Sequence, residues 1–177
     1  MASRHAGEGQ YAILEREQRW VLDALPAETA DQRMITDGYL VGTRLRLRKI
    51  QSDSETIFKL CQKVRVHDGD PELVKITNVY LSLDEYQQVL SLPSAQIIKT
   101  RYNFTRAGSA YAIDQFQGRH AGLVLAEREL KEFEPTLAIP AFAKSEVTND
   151  DRYSGGSLAF ASDEELRQVI GIKKEET

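Results

Sequence analysis

Charged and apolar side chains alternate along several segments of this chain, and that alternation limits the folds available to it. The clearest case is DGYLVGTRLRLRKI, residues 37–50, in which residues 44–48 alternate arginine with leucine. A strand places successive side chains on opposite faces, so the arginines share one face of a sheet and the leucines share the other. Because like charges on one face repel each other, the pattern indicates a face that meets an anion.

Composition sets the class of protein. The chain has 177 residues, of which 41% are hydrophobic and 28% charged, which predicts one globular domain over residues 1–177, with the small, polar residues 1–10 flexible. A net charge of −4 does not favour a general nucleic-acid binder. Cys61 is the only cysteine, and we find no signal peptide or run of about 18 apolar residues. These features predict a cytoplasmic protein that does not cross a membrane.

Period-two segments and turn residues predict about eight strands, with turns at HDGDP (residues 67–71) and at Ala107-Gly108. The predicted strands are QYAILEREQRWVL, RMITDGYLV, TRLRLRKI, ETIFKLCQKVRV, LVKITNVYL, AQIIKTRYNFTRA, SAYAIDQFQG and GLVLAERELKEF. Capping boxes at Ser82/Glu85 and Ser162/Glu165 predict two helices, and the chain after Pro135 is loop-like. We therefore expect an α+β, mainly β fold: an eight-stranded antiparallel closed barrel with a few flanking helices.

The charged faces of these strands segregate by sign. Acid pairs lie on the first and last strands, and basic runs lie on the middle ones. A solvated outer face explains any single strand, but such faces usually mix signs to gain cross-strand pairs. A polar lumen explains the whole set, because carboxylates at i and i+2 suit a hard divalent cation and arginines suit phosphate oxygens.

The same segments resemble a known family. LEREQRWVL, DGYL, RLRLR, IIKTRY, IDQFQGRHAGLVLAERELKEF and SEVTNDDRYSGGSLA match, in that order, the CYTH family, also called triphosphate tunnel metalloenzymes. The resemblance runs from about residue 12 to residue 160, and AGLVLAExEL is its most specific part. It implies an eight-stranded tunnel that binds triphosphate on an inward-facing arginine row.

The resemblance also implies roles for individual residues. The expected metal ligands, for Mg²⁺ or Mn²⁺, are Glu15, Glu17, Asp114, Glu127 and Glu129. The expected substrate-binding residues are Arg19, Arg44, Arg46, Arg48, Lys99 and Arg101. Tyr39 and Lys59 match residues that help to activate the attacking water. Arg19 departs from the family pattern, because it replaces the signature lysine and a guanidinium does not deprotonate.

Several functions fit this pattern. The leading expectation is metal-dependent hydrolysis of a triphosphate by a monomer or homodimer, with inorganic tripolyphosphate as the first choice of substrate. A class IV adenylate cyclase, a thiamine triphosphatase and a non-catalytic polyphosphate- or nucleotide-binding module stay open. An apolar-ligand carrier of the lipocalin kind is disfavoured by the inward charges. The three histidines are scattered, and no glycine-rich segment has the lysine placement of a P-loop.

Overall fold

The computed structural model describes residues 12–65, 73–131 and 133–171. The segment 1–10 predicted to be flexible and the predicted turn at residues 67–71 lie outside these ranges, as do His5 and His67. Within them the chain is mostly β-strand, as the alternation predicts. No helix in the described ranges is long and apolar enough to span a membrane.

Nine β-strands and three short α-helices are present in the described chain. The strands are β1 (Ile13–Leu22), β2 (Ala30–Leu40), β3 (Leu45–Gln51), β4 (Thr56–Arg65), β5 (Leu73–Leu81), β6 (Ser94–Arg106), β7 (Ser109–Phe116), β8 (Val124–Leu130) and β9 (Ser145–Glu146). The helices are α1 (Leu83–Leu90), α2 (Gly155–Phe160) and α3 (Asp163–Ile170).

Eight of the strands close into an antiparallel barrel. Their order around it is β1-β5-β4-β3-β2-β6-β7-β8, and β8 pairs again with β1. The first residues of β1 close the ring, since Ile13 lies opposite Ile76 of β5. Further along the same edge β9 takes the place of β5 and pairs with Trp20 and Val21. The predicted eight-stranded closed barrel is confirmed.

Two apolar clusters flank the barrel wall. One lies on the outer face of β1, β6, β7 and β8, where Trp20 and Ile113 are fully buried beneath Leu137 and Phe142 of the loop that follows β8. That loop therefore covers the outer face of the wall at this cluster. These apolar side chains are removed from water on folding, and their burial is the main contribution to the stability of this part of the barrel.

The second cluster lies on the inner face. Ile97, Phe116 and Leu125 each lie two residues from a charged residue of the same strand, so they share its inward face, and they pack against Leu158 of α2. Leu166 of α3 belongs to the same cluster. The helix α2 thus fills one end of the barrel interior with apolar side chains, and the charged residues keep the remainder.

Local signals place the ends of several elements. Both predicted capping boxes form, with Ser82 and Glu85 on α1 and Ser162 and Glu165 on α3. The predicted turn at Ala107 and Gly108 joins β6 to β7 with φ values of 50° and 76°, the left-handed pair that a tight hairpin requires. The helix α2 was not predicted, because its first two residues are glycines, which disfavour helix in sequence.

Candidate active site

A cavity of about 810 Å³, called the lumen below, occupies the barrel interior. Its basic lining residues are Arg19, Arg44, Arg46, Arg48, Lys59, Lys63, Arg65, Lys99, Arg101 and Arg128. Its acidic lining residues are Glu15, Glu17, Asp37, Glu127 and Glu129. Basic groups outnumber acidic ones, so the lumen has an excess of positive charge that suits an anionic ligand.

Strand register arranges part of this lining in two rows across β2, β3 and β4. Asp37 lies opposite Arg48, which lies opposite Lys59. One step along the strands, Tyr39 lies opposite Arg46, which lies opposite Cys61. Directly opposed residues of antiparallel strands have Cα atoms about 4.5–5.5 Å apart, so each row is a line of adjacent residues.

The first row contains a buried ion pair. Arg48 Nε and Nη2 donate to the two carboxylate oxygens of Asp37, each at 2.6 Å. Arg46 Nε lies 3.6 Å from Asp37 Oδ1. Burial raises the pKa of Asp37, but Arg48 and Arg46 outweigh burial and hold that pKa well below its ordinary value. Asp37 is therefore a fixed negative charge beneath two arginines.

Lys59 has a different environment. Within the described residues its ammonium group makes no hydrogen bond or ion pair, although Arg48 is its cross-strand neighbour. Burial lowers the pKa of Lys59, and Arg48 and Arg46 lower it further against an opposing effect of Cys61. A lysine of this kind holds its proton less tightly than a surface lysine does.

A second charged network crosses β6, β7 and β8. Arg101 Nε and Nη2 donate to Asp114 at 2.6 Å each, and Lys99 Nζ donates to the same carboxylate. Arg101 also donates to Glu127. Burial raises the pKa of Glu127, but Arg19 and Arg101 hold it well below its ordinary value. Both carboxylates are thus committed to basic partners.

Arg19 ties this network to the rest of the wall. Its guanidinium donates to Glu127 at 3.0 Å, to Glu17 at 2.8 Å and to the carbonyl of Tyr153 at 3.2 Å. Lys63 Nζ donates to Glu17 at 2.7 Å from the opposite side. Since all three nitrogens of Arg19 have partners, this arginine joins β1, β8 and the chain before α2 rather than presenting open donors.

Three carboxylates gather at the start of β1. Glu17 lies opposite Glu129 of β8, and Glu15 is two residues before Glu17 on the same face. Within the described residues Glu15 and Glu129 make no hydrogen bond or ion pair. Burial raises the pKa of Glu15, and Glu129 and Glu17 raise it further while Lys63 opposes them. Close carboxylates without enough counter-charge favour a bound cation.

A known protein of similar sequence acts on an anionic substrate, as the basic lumen indicates for this chain. An inorganic triphosphatase of Acetivibrio thermocellus is 32% identical over 108 residues, which are 54% of this chain and 69% of that protein. The chain belongs to the CYTH family. No family model matches the sequence.

Solved structures of CYTH type share the fold. The crystal structure of the inorganic triphosphatase NE1496 matches with a TM-score of 0.56 at 22% identity, over 84% of this chain and 95% of that one. A second solved structure of NE1496 matches with a TM-score of 0.55 at 22% identity, over 82% and 97% of the two chains. This CYTH protein therefore shares the fold of NE1496.

Every predicted CYTH site residue except Asp114 lines the lumen, and three residues need comment. Glu127 accepts from Arg19 and Arg101, so basic side chains already occupy this predicted metal ligand. The strand β3 begins at Leu45, so Arg44 precedes it and lies exposed at the edge of the lumen instead of extending the arginine row. Asp114 is fully buried and accepts from Lys99 and Arg101 with both oxygens. Its geometry is that of a counter-ion that orients two basic side chains, and a metal could reach it only by displacing them.

Other residues line the lumen that were not predicted from the sequence. Lys63 and Arg65 continue the period of two that begins at Lys59, so the pattern was available in the sequence. Asp37 is two residues before Tyr39 and shares its face by the same rule. Tyr153 had no such signal, because it reaches the lumen from a short turn after β9.

The family is generally metal-dependent, and the carboxylates allow a test of whether a metal suits this chain. Among the described residues, no three histidine, cysteine or acidic side chains are already grouped closely enough to hold an ion. Magnesium usually takes one or two carboxylates and completes its shell with water and substrate phosphate. Glu15, Glu17 and Glu129 suit this kind of site, in which only part of the metal shell comes from the protein. A site built entirely from protein ligands is not present among the described residues.

Gly155 offers a test of the position of Tyr39. A Cβ atom at Gly155 would lie 1.8 Å from the Tyr39 hydroxyl oxygen, so alanine must push the tyrosine out of place. We expect Gly155→Ala to lower turnover by about 10²-fold, the effect of a displacement of about 1 Å in a catalytic site. The measurement is kcat for tripolyphosphate hydrolysis together with the melting temperature.

Gly156→Ala is the matched control. A Cβ at Gly156 has no atom within 4 Å, and both glycines belong to α2. We expect this variant to keep wild-type turnover and to gain about 0.5–1 kcal/mol of stability, because alanine favours helix over glycine. Equal turnover in the two variants would mean that the position of Tyr39 does not matter.

Proposed function

We propose that this protein is an inorganic triphosphatase that hydrolyses tripolyphosphate to pyrophosphate and phosphate inside the lumen. The observation that carries the proposal is the excess of basic side chains that four strands direct into one closed barrel. The inorganic triphosphatase of Acetivibrio thermocellus supports the choice of substrate. A linear anion without an organic group needs little beyond basic donors and a metal, and the lumen supplies the basic donors.

The proposed chemistry assigns roles to the two rows on β2, β3 and β4. The oxygen of water attacks the terminal phosphorus, the bond from that phosphorus to the bridging oxygen breaks, and pyrophosphate leaves. Lys59, in its free-base form, accepts the proton of the water directly or through Tyr39. Arg46 and the neighbouring basic residues neutralise the charge that develops on the transferred phosphoryl group.

The buried network on β6, β7 and β8 orients the site. Asp114 holds Lys99 and Arg101, and Glu127 joins Arg101 to Arg19. These contacts spread negative charge beneath the basic residues, which lowers their mutual repulsion before substrate binds. We therefore assign positioning roles to Asp114 and Glu127, and a structural role to Arg19 alongside any contact with substrate.

A divalent cation, Mg²⁺ or Mn²⁺, belongs to the proposal. Glu15, Glu17 and Glu129 would hold it, and it would supply positive charge that offsets the negative charge of the bound triphosphate. Lys63 donates to Glu17 and so fixes one of the three. A cytoplasmic location and a monomeric or homodimeric state stay predictions.

A substrate panel tests the proposal. Phosphate release is measured with tripolyphosphate, ATP, thiamine triphosphate and pyrophosphate, each with magnesium or manganese, and cyclic AMP is measured in the ATP reactions. We expect the highest kcat/KM for tripolyphosphate. A higher value for thiamine triphosphate, or cyclic AMP from ATP, would replace the proposed substrate. Tight binding of every compound without turnover of any would establish a binding module.

A further inference from the structure

Asp37 stands out among the lumen carboxylates because it lies within the basic rows instead of beside Glu17 and Glu129. It is 1% exposed, and both of its oxygens accept from Arg48. The fork of Arg48, which is the part that best fits a phosphate, is therefore already filled by a carboxylate. Sequence resemblance places Arg48 and Arg46 on one phosphate-binding strand and does not distinguish them.

Arg46 differs from Arg48 in what its donors meet. Its Nε is buried and has no hydrogen-bond acceptor within the described chain, since Asp37 Oδ1 is 3.6 Å away. Its side chain is 19% exposed and borders the lumen, whereas that of Arg48 is 8% exposed. A buried donor without an acceptor is costly, so Arg46 has the stronger demand for an anion from outside the protein.

We propose that Asp37 is a positioning residue that holds Arg48 out of substrate binding and thereby leaves Arg46 as the principal phosphate ligand of β3. The inference rests on the proposed function only for the nature of the ligand, a triphosphate. The ion pair also holds Asp37. Without Arg48, the Asp37 carboxylate could turn to Arg46, its other basic neighbour, and compete with the triphosphate for that arginine. Two arginines on one strand face thus have two different tasks.

The proposal predicts an unequal rescue. Arg48→Gln releases Asp37 to pair with Arg46, so triphosphate binding weakens; adding Asp37→Asn removes the competing carboxylate and restores binding. Arg46→Gln removes the ligand itself, and adding Asp37→Asn does not replace it. The two double variants carry the same lumen charge, so a purely Coulombic effect of Asp37 would rescue both alike.

The experiment is calorimetry with inorganic tripolyphosphate in metal-free buffer, on the full chain, for both single arginine variants and both double variants. We expect Arg46→Gln to weaken binding by roughly tenfold to a hundredfold, the usual effect of a lost charge-assisted contact. We expect Asp37→Asn/Arg48→Gln to bind within about threefold of wild type and Asp37→Asn/Arg46→Gln to stay at least about tenfold weaker. Equal rescue of both, or rescue of neither, would overturn the proposal.

Three readouts keep the result interpretable. Melting temperatures identify unfolded variants. If Arg48→Gln folds poorly, the two double variants are compared with each other instead, because both keep the net charge of the wild-type lumen. Asp37→Glu keeps the carboxylate and should bind like wild type with Arg48 in place. Wild-type turnover, measured separately, distinguishes the proposed function from the role of Asp37. Absence of turnover would overturn the triphosphatase activity, while unequal rescue of binding would still support the positioning role of Asp37.

Discussion

Replacing Lys59 with arginine is expected to lower the turnover of tripolyphosphate by about 10²–10⁴-fold while leaving its affinity within about threefold of wild type. Arginine keeps the positive charge that meets the phosphate but cannot give up its proton to become a base. Lys59 suits proton transfer because burial and two neighbouring arginines lower its pKa. The measurements are kcat from phosphate release and the dissociation constant from calorimetry.

Lys49→Arg is the matched control for this substitution. Lys49 lies on β3 opposite Phe58 and adjoins Arg48 in sequence, so its side chain is on the outer face of the barrel. We expect it to leave both kcat and affinity unchanged. If Lys59→Arg also turns over at the wild-type rate, Lys59 is a phosphate clamp and the base is another group.

The pH profile gives an independent check on Lys59. The free-base form is the active one, so wild-type kcat should rise with pH through the pKa of Lys59. Because that pKa is lowered, the rise should occur at a lower pH than the titration of a surface lysine. Lys59→Arg should lose this rise, and its persistence in the variant would assign it to a different residue.

Removal of divalent cations is expected to abolish hydrolysis. EDTA should reduce phosphate release to background, and added magnesium or manganese should restore it. The physical reason lies in the carboxylates on β1 and β8. Glu15 and Glu129 form no ion pair with a basic residue within the described residues, so a divalent cation is needed to balance their charge when triphosphate binds. Full activity in metal-stripped buffer would contradict the proposed metal site.

Glu129→Gln locates that site. Glu129 lies opposite Glu17 and has no basic partner within the described residues, so the substitution should disturb metal binding more than the fold. We expect the manganese concentration for half-maximal activity to rise by about tenfold or more. Direct manganese binding, followed by electron paramagnetic resonance with tripolyphosphate present, should weaken in parallel. Glu55→Gln, in the exposed turn before β4, is the control and should change neither measurement.

Local sequence determined the strands and their faces. The alternation at Arg46 and Arg48 follows from backbone geometry alone, because successive side chains of any strand point to opposite sides. The capping boxes at Ser82 and Ser162 are equally local, since donor and acceptor are three residues apart. Motif resemblance added the inward direction of the charged face, and the structure places these charged residues around the lumen.

Tertiary structure alone decided which charges are paired. Asp37 fills the fork of Arg48 because β2 and β3 pair in one register, and Asp114 holds Lys99 and Arg101 because β6 and β7 do so. A shift of one residue would place each of these partners on the opposite face, and period-two alternation alone does not determine that register. Pairings between segments distant in sequence, such as β1 with β5 and α2 with the inner wall, depend on how the ring closes and where apolar side chains are buried.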